Sequence, residues 1–188
     1  MIPQEYNLIT AIAQGSATWR HYVKNLLANP AIGNAGDYAS MLSTTTQASA
    51  GTTSANLVHI DTVDFAQGIS ISGNDIVFSH AGNYLLNFLG QFKFSGGGTG
   101  GNITVWYTIN GIPATNSAFT FYLPTSNNYQ LLANVEDINH FNAGDRLNFY
   151  WWSDISPNAN VSLNYVAAGT NPTRPASASV NITISQLG

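Results

Sequence analysis

The sequence predicts an all-β sandwich preceded by a short helical arm and a polar spacer. Three observations predict it. From about Asn56 onward, apolar residues recur at every second position, the period of a half-buried strand. Turn residues interrupt that alternation roughly every 8–12 residues, the spacing of sandwich strands. The chain of 188 residues is 44% hydrophobic but only 7% charged, whereas charged residues make up about a quarter of an ordinary soluble domain. Asn, Ser and Thr take the place of the missing charges, so a large apolar core is enclosed by a neutral polar surface.

The elements follow in chain order. Tyr6, Ile9 and Ala13, then Trp19, Tyr22, Val23, Leu26 and Leu27, recur at helical spacings of three and four. Ser16 or Thr18 can cap the second stretch, and Asn29-Pro30 ends it. Residues 1–30 hold too few apolar side chains to fold alone. Their stripe is expected to anchor the chain on a partner, the alternative being that it packs back on the domain that follows. Residues 31–55 carry Gly33, Gly36, Gly51 and the run Ser43-Thr44-Thr45-Thr46-Gln47-Ala48-Ser49-Ala50. Small polar residues of this kind do not build a packed core, which predicts a flexible or extended spacer. The domain proper is expected over 56–188, so removal of everything up to Ala55 is expected to leave it assembled.

Within that domain Leu57-Val58-His59-Ile60 opens the pattern. Ile69 and Ile71, then Ile76 and Phe78, form two strands joined by a Gly73-Asn74 turn. Tyr84, Leu86, Phe88, Phe92 and Phe94 alternate along one long strand. Gly96 to Gly101 is a loop. Ile103, Val105, Tyr107 and Ile109 alternate next, and Asn110-Gly111 supplies a tight turn. Phe119 and Phe121 follow, then Leu131 to Ile138. Ala143-Gly144-Asp145 turns into Leu147, Phe149 and Trp151. Val161, Leu163 and Tyr165, then Val180, Ile182 and Ile184, close a set of about ten short strands. No internal repeat is present, which argues against a solenoid or propeller.

Several strands are apolar on both faces. Tyr150 and Trp152 oppose Leu147, Phe149 and Trp151; Trp106 opposes Val105 and Tyr107; Leu85 and Leu89 oppose Tyr84, Leu86 and Phe88. One set fills a sandwich, and the other needs a second cover. Trp106, Tyr150, Trp152, Leu85 and Leu89 are therefore expected at a homo-oligomer interface. The alternative cover is the chain's own loops or its N-terminal segment.

In order and spacing these elements resemble the C1q/TNF-like jelly-roll family from roughly Leu57 to Leu187. The resemblance is carried by Phe78-Ser79-His80-Ala81-Gly82-Asn83-Tyr84, Val105-Trp106-Tyr107-Thr108-Ile109-Asn110-Gly111, Asn142-Ala143-Gly144-Asp145-Arg146-Leu147, and the last strand Ser179-Val180-Asn181-Ile182-Thr183-Ile184. It implies a ten-stranded sandwich of two sheets and a compact homotrimer, with ligands bound at the top loops or between subunits. The chain departs from the family in lacking a Gly-X-Y stalk and in its high Gly and Asn content. Bare jelly rolls behind a short N-terminal segment resemble accessory proteins of bacteriophage particles, namely capsid decoration (cement) proteins, head fibres and tail-fibre tips. That implies a non-enzymatic protein of the virion surface, with Trp19, Tyr22, Val23, Leu26 and Leu27 as the anchor. Its partners would be two further copies, the major capsid protein or tail and fibre proteins, and a host-surface glycan. The alternatives are a receptor-binding fibre module and a cellular C1q-like binding protein.

Candidate chemistry is sparse. Five Lys+Arg against nine Asp+Glu give a net charge of −4, which excludes a basic surface for nucleic acid. No apolar run approaches the roughly 20 residues of a membrane-spanning helix, so no membrane partner is expected. Met1-Ile2-Pro3-Gln4-Glu5 lacks the pattern of a secretory signal, which fits assembly in a host cytoplasm. There is no cysteine, hence no disulfide or thiolate site. His21, His59, His80 and His140 are scattered. His59 and Asp61 share the parity of two metal ligands, with Asp64 nearby, but lack an evident third, and an exposed polar strand edge accounts for them. Glu136 and Asp137 are sequence neighbours, so on a strand they point to opposite faces and make no acid–base pair. The Gly96–Gly101 run lacks the Lys-[Ser/Thr] of a phosphate loop, and no Gly-x-Ser-x-Gly elbow occurs. Asn102, Asn160 and Asn181 begin glycosylation sequons that the high Asn, Ser and Thr content produces by chance. Neither an enzyme activity, a cofactor nor a metal is expected.

Overall fold

Alternation of apolar and polar side chains along each strand decides the architecture. The computed structural model describes residues 36–95, 100–124, 129–155 and 161–187. In chain order its strands are β1 (Tyr38–Ser43), β2 (Gln47–Ala48), β3 (Asn56–Leu57), β4 (Thr62–Gln67), β5 (Ile69–Ser72), β6 (Asp75–Phe78), β7 (Gly82–Phe94) and β8 (Gly101–Ile109). They continue as β9 (Ile112–Pro113), β10 (Phe119–Leu123), β11 (Tyr129–Phe141), β12 (Arg146–Ser153), β13 (Val161–Leu163), β14 (Gly169–Thr170), β15 (Thr173–Arg174) and β16 (Val180–Leu187). The helical arm expected over 1–30, with Trp19, Tyr22, Val23, Leu26 and Leu27, lies outside the described residues.

Ten principal strands form two antiparallel sheets. The first runs β4-β1-β16-β7-β11, with β13 continuing along the β16 edge of β7 and β2 paired to β13. The second runs β5-β6-β12-β8-β10, with β3 beside β12 and β9 beside β8. The chain crosses repeatedly from one sheet to the other, which makes a jelly-roll sandwich. The all-β, ten-stranded jelly roll expected from the sequence is the observed fold.

The inward parity of each strand fills the space between the sheets. Tyr84, Leu86, Phe88, Phe92 and Phe94 of β7 face Ile103, Val105 and Tyr107 of β8 and Leu147, Phe149 and Trp151 of β12, all buried. Aromatic rings tie the layers together. Phe78 stacks on Phe141 at 4.0 Å, Phe88 on Phe149 at 5.2 Å, and Phe92 meets Trp151 edge-on at 5.3 Å, geometries that add to simple area burial. The Asn110-Gly111 turn between β8 and β9 has φ of 53° and 79°, the left-handed pair a tight hairpin needs. The Asn110 side chain locks it by donating to Asp145 and accepting from the Arg146 N–H.

The structure corrects the spacer expected over 31–55 in its described part, from Gly36 onward. Tyr38–Ser43 is strand β1, held between β16 and β4 in the first sheet. Ala39, Met41 and Ser43 are its buried inward positions. Two of those three side chains are small, so the alternation carries little hydrophobic signal. The second half of the segment is tied in as well, for the Ala50 N–H donates to Asn56 Oδ1 at 2.6 Å. The domain therefore begins near Asp37 rather than at 56. Residues 58–61 are likewise a connection between β3 and β4, not a strand.

Candidate functional site

The five side chains expected at one interface divide between opposite sides of the sandwich. Leu85 and Leu89 lie on the outer face of the first sheet; Trp106, Tyr150 and Trp152 lie on the outer face of the second.

On the first sheet, the outward parity of β7 is Leu85, Asn87, Leu89, Gln91 and Lys93. On β11 it is Leu132, Asn134, Glu136, Ile138 and His140. Register sets Ile138 opposite Leu85, Glu136 opposite Asn87, Asn134 opposite Leu89 and Leu132 opposite Gln91. Leu132 is 63% and Ile138 60% exposed, and Leu187 at the end of β16 is 40% exposed. These are large aliphatic side chains in water on one sheet face, the mark of an interaction surface. A polar row crosses it, where Asn87 Nδ2 donates to Glu136 Oε1 at 2.9 Å and to Asn134 Oδ1 at 3.2 Å. A shallow depression of about 360 Å³ is lined by Leu85, Glu136, Asp137 and Ile138. Leu132, Ile138 and Leu187 were not among the residues singled out from the sequence. The available signal was parity, because Leu132 and Ile138 are out of step with the inward set Leu131, Ala133 and Val135.

Beneath this face a polar bridge joins the sheets. The Tyr107 hydroxyl of β8 donates to Asp137 Oδ2 at 2.6 Å and accepts from Asn139 Nδ2 at 3.0 Å. Burial, with the Asp137 carboxylate beside it, pushes the Tyr107 phenol up to about 12, against a smaller opposing effect of the Asn139 bond. Asp137 is thus a structural acceptor, separate from the outward Glu136, as strand parity requires.

On the second sheet, Tyr150 of β12 pairs directly with Trp106 of β8. Their rings lie 5.8 Å apart with planes 15° from parallel. Trp152 pairs with Thr104, whose hydroxyl meets that of Thr120 at 3.0 Å. The Trp152 indole N–H donates to the Thr52 carbonyl at 2.7 Å, so the chain's own 49–55 segment covers part of this ring. That is the alternative cover considered from the sequence. Leu57 of β3 flanks Tyr150, and exposed Tyr122 of β10 stands opposite Asn102.

The remaining polar candidates serve structure. Asp61 accepts from the Thr44 N–H and the Thr44 and Thr62 hydroxyls, while His59 Nδ1 meets Asn74 Oδ1 at 2.8 Å. Burial pushes Asp61 up, but the bonds from Thr44 and Thr62 and the nearby His59 hold it below the usual carboxylate range. Buried Asp37, missed in the sequence, accepts from the Tyr84 hydroxyl at 2.8 Å and meets His80 Nδ1 at 3.0 Å. No sequence signal marks it, since its partners lie more than forty residues away. Among the described residues no three His, Asp or Glu side chains gather as a metal site, and no helix is long and apolar enough to cross a membrane.

No family model and no curated protein matches the sequence. Solved structures that resemble it include murine APRIL at pH 8.5, 14% identical, covering 80% of this chain and 98% of that one with a TM-score of 0.48. The PRD1 vertex protein P5 is 17% identical over 81% of this chain and 98% of its own, with a TM-score of 0.47. The globular domain of zebrafish complement 1qA protein is 10% identical over 81% and 98%, with a TM-score of 0.49. The jelly-roll assignment itself rests on the strand order and pairing above.

Proposed function

We propose that this chain is a non-enzymatic structural protein that forms a homotrimer through the outer face of its first sheet and decorates the surface of a phage virion. The observation that carries self-association is the aliphatic patch of exposed Leu132, Ile138 and Leu187 with half-buried Leu85 and Leu89. Full burial of an exposed leucine or isoleucine is worth roughly 1.5–3 kcal/mol, an upper bound for these partly covered side chains. Three copies arranged around an axis would cover the patch of every copy while leaving the second sheet outward. The Asn87–Glu136 row would then sit inside the contact and fix its register.

Decoration of a capsid is the finer part of the proposal. It is supported by the apolar stripe at helical spacing that precedes the domain in sequence, and by a composition in which amides and hydroxyls replace charges. The arm residues Trp19, Tyr22, Val23, Leu26 and Leu27 would hold the trimer to the shell. Immunogold electron microscopy, with antibody raised to the folded domain on particles from the source culture, tests this placement. Dense label over particle heads is expected. Label confined to tail tips would replace decoration with receptor binding, and unlabelled particles would remove the virion role.

A further inference from the structure

We propose that the outer face of the second sheet binds neutral carbohydrate, with Trp106 and Tyr150 as the stacking platform. The site lies within one chain and on the sheet opposite the self-association face, so it does not depend on the trimer.

The chemistry of the face selects the ligand. A pyranose presents C–H groups on its flat sides and hydroxyls around its rim. It needs aromatic faces for the first and neutral donors and acceptors for the second. Trp106 and Tyr150 are partly exposed and stack on each other across two central strands, so one ring of the pair, held rigid by its neighbour, would receive the sugar on the side that neighbour leaves open. Neither the Trp106 indole N–H nor the Tyr150 hydroxyl makes a side-chain hydrogen bond among the described residues, whereas the Trp152 N–H is already taken by Thr52. Two polar tips thus remain beside two rings. The Thr104–Thr120 hydroxyl pair and exposed Tyr122 extend the face along β8 and β10.

The charges around this face are already committed. Asp75 accepts from Asn148 and Arg146, and both Asp154 oxygens accept from Asn102. Among the described residues the basic side chain on this face is Arg146, already paired with Asp75, so a phosphate, sulfate or nucleic acid finds little counter-charge. Among the described residues Leu57 and Val77 are the aliphatic side chains on this face, which differs from the leucine and isoleucine patch of the first sheet. A neutral oligosaccharide fits both the rings and the uncharged rim.

The test uses the full-length protein and a panel of neutral glucose-, mannose-, galactose- and N-acetylglucosamine-based oligosaccharides. Binding is read by tryptophan fluorescence and calorimetry. At least one sugar class is expected to bind, and Trp106→Ala to weaken it by about tenfold or more, as for loss of one stacked ring. Trp106→Phe, which keeps a ring and protects against misfolding, is expected to retain part of the affinity. Leu132→Asp, on the opposite face, is expected to leave each site's affinity unchanged. No binding across the panel at millimolar sugar, or binding indifferent to Trp106→Ala in a folded variant, overturns the proposal. So does dissociation of the oligomer by Trp106→Phe, which would make this face a contact between copies.

Discussion

At the residue scale, a few carboxylates and phenols set how the protein answers to pH. Three aspartates titrate below their usual value of 3.8. Asp61 does so through Thr44 and Thr62 despite its burial, Asp75 through Asn148 and Arg146, and Asp145 through the Asn142 N–H and Asn110. A carboxylate whose folded pKa is depressed contributes stability above its unfolded pKa and loses it as pH falls through the folded value. Chemical-denaturation midpoints are therefore expected to be level above about pH 5 and to fall below about pH 4. Asp61→Asn is expected to shrink that acid limb. The phenols act at the other end. Tyr107 is raised to about 12 and Tyr84 is raised as well, by burial and by Asp37. Their contribution is complete below the ordinary tyrosine pKa of about 10 and is lost as pH rises through the folded values. Tyr107→Phe is expected to cost about 1–3 kcal/mol at neutral pH, by leaving Asp137 and Asn139 without their partner. It is also expected to reduce the alkaline limb, with Tyr84 supplying the remainder, as urea titrations between pH 8 and pH 12 would measure.

At the element scale, the long strands were legible because their inward residues are large. Tyr84 to Phe94 and Leu147 to Trp151 announce β7 and β12 through aromatic alternation, and Asn110-Gly111 announces its hairpin through backbone chemistry. Strand β1 stayed hidden because Ala39 and Ser43 fill two of its three inward positions, and its neighbours β16 and β4 are remote in sequence for the former. Strand β11 looked shorter than it is because Asp137 and Asn139 face inward, toward a tyrosine on the other sheet that the sequence does not identify. The interface candidates were found by parity but not placed, since parity says that a residue faces outward and not from which sheet. The role of β1 has a direct check. Met41 is fully buried, so Met41→Ala is expected to cost about 2–5 kcal/mol in equilibrium unfolding, where a spacer residue would cost nothing. Truncation up to Ala55 removes β1 and β2 and is expected to unfold the first sheet instead of leaving an intact oligomer.

At the scale of the whole molecule, packing carries the fold, and the two proposed roles fall on two unlike faces. Few ion pairs hold the domain; among the described residues the salt bridges are Arg146–Asp75 and the exposed His80 against buried Asp37. Stability therefore rests on the aromatic core and strand pairing, which salt screens weakly. One outer face is aliphatic and suited to other copies of the chain. The other is aromatic and neutral. The central claim is self-association through the first, and sedimentation velocity on the full-length chain at micromolar concentration tests it most directly. A single species of three times the chain mass is expected, converted to monomer by Leu132→Asp combined with Ile138→Asp without loss of the β circular-dichroism signal. A wild-type monomer, or a trimer that survives both aspartates, would contradict the account.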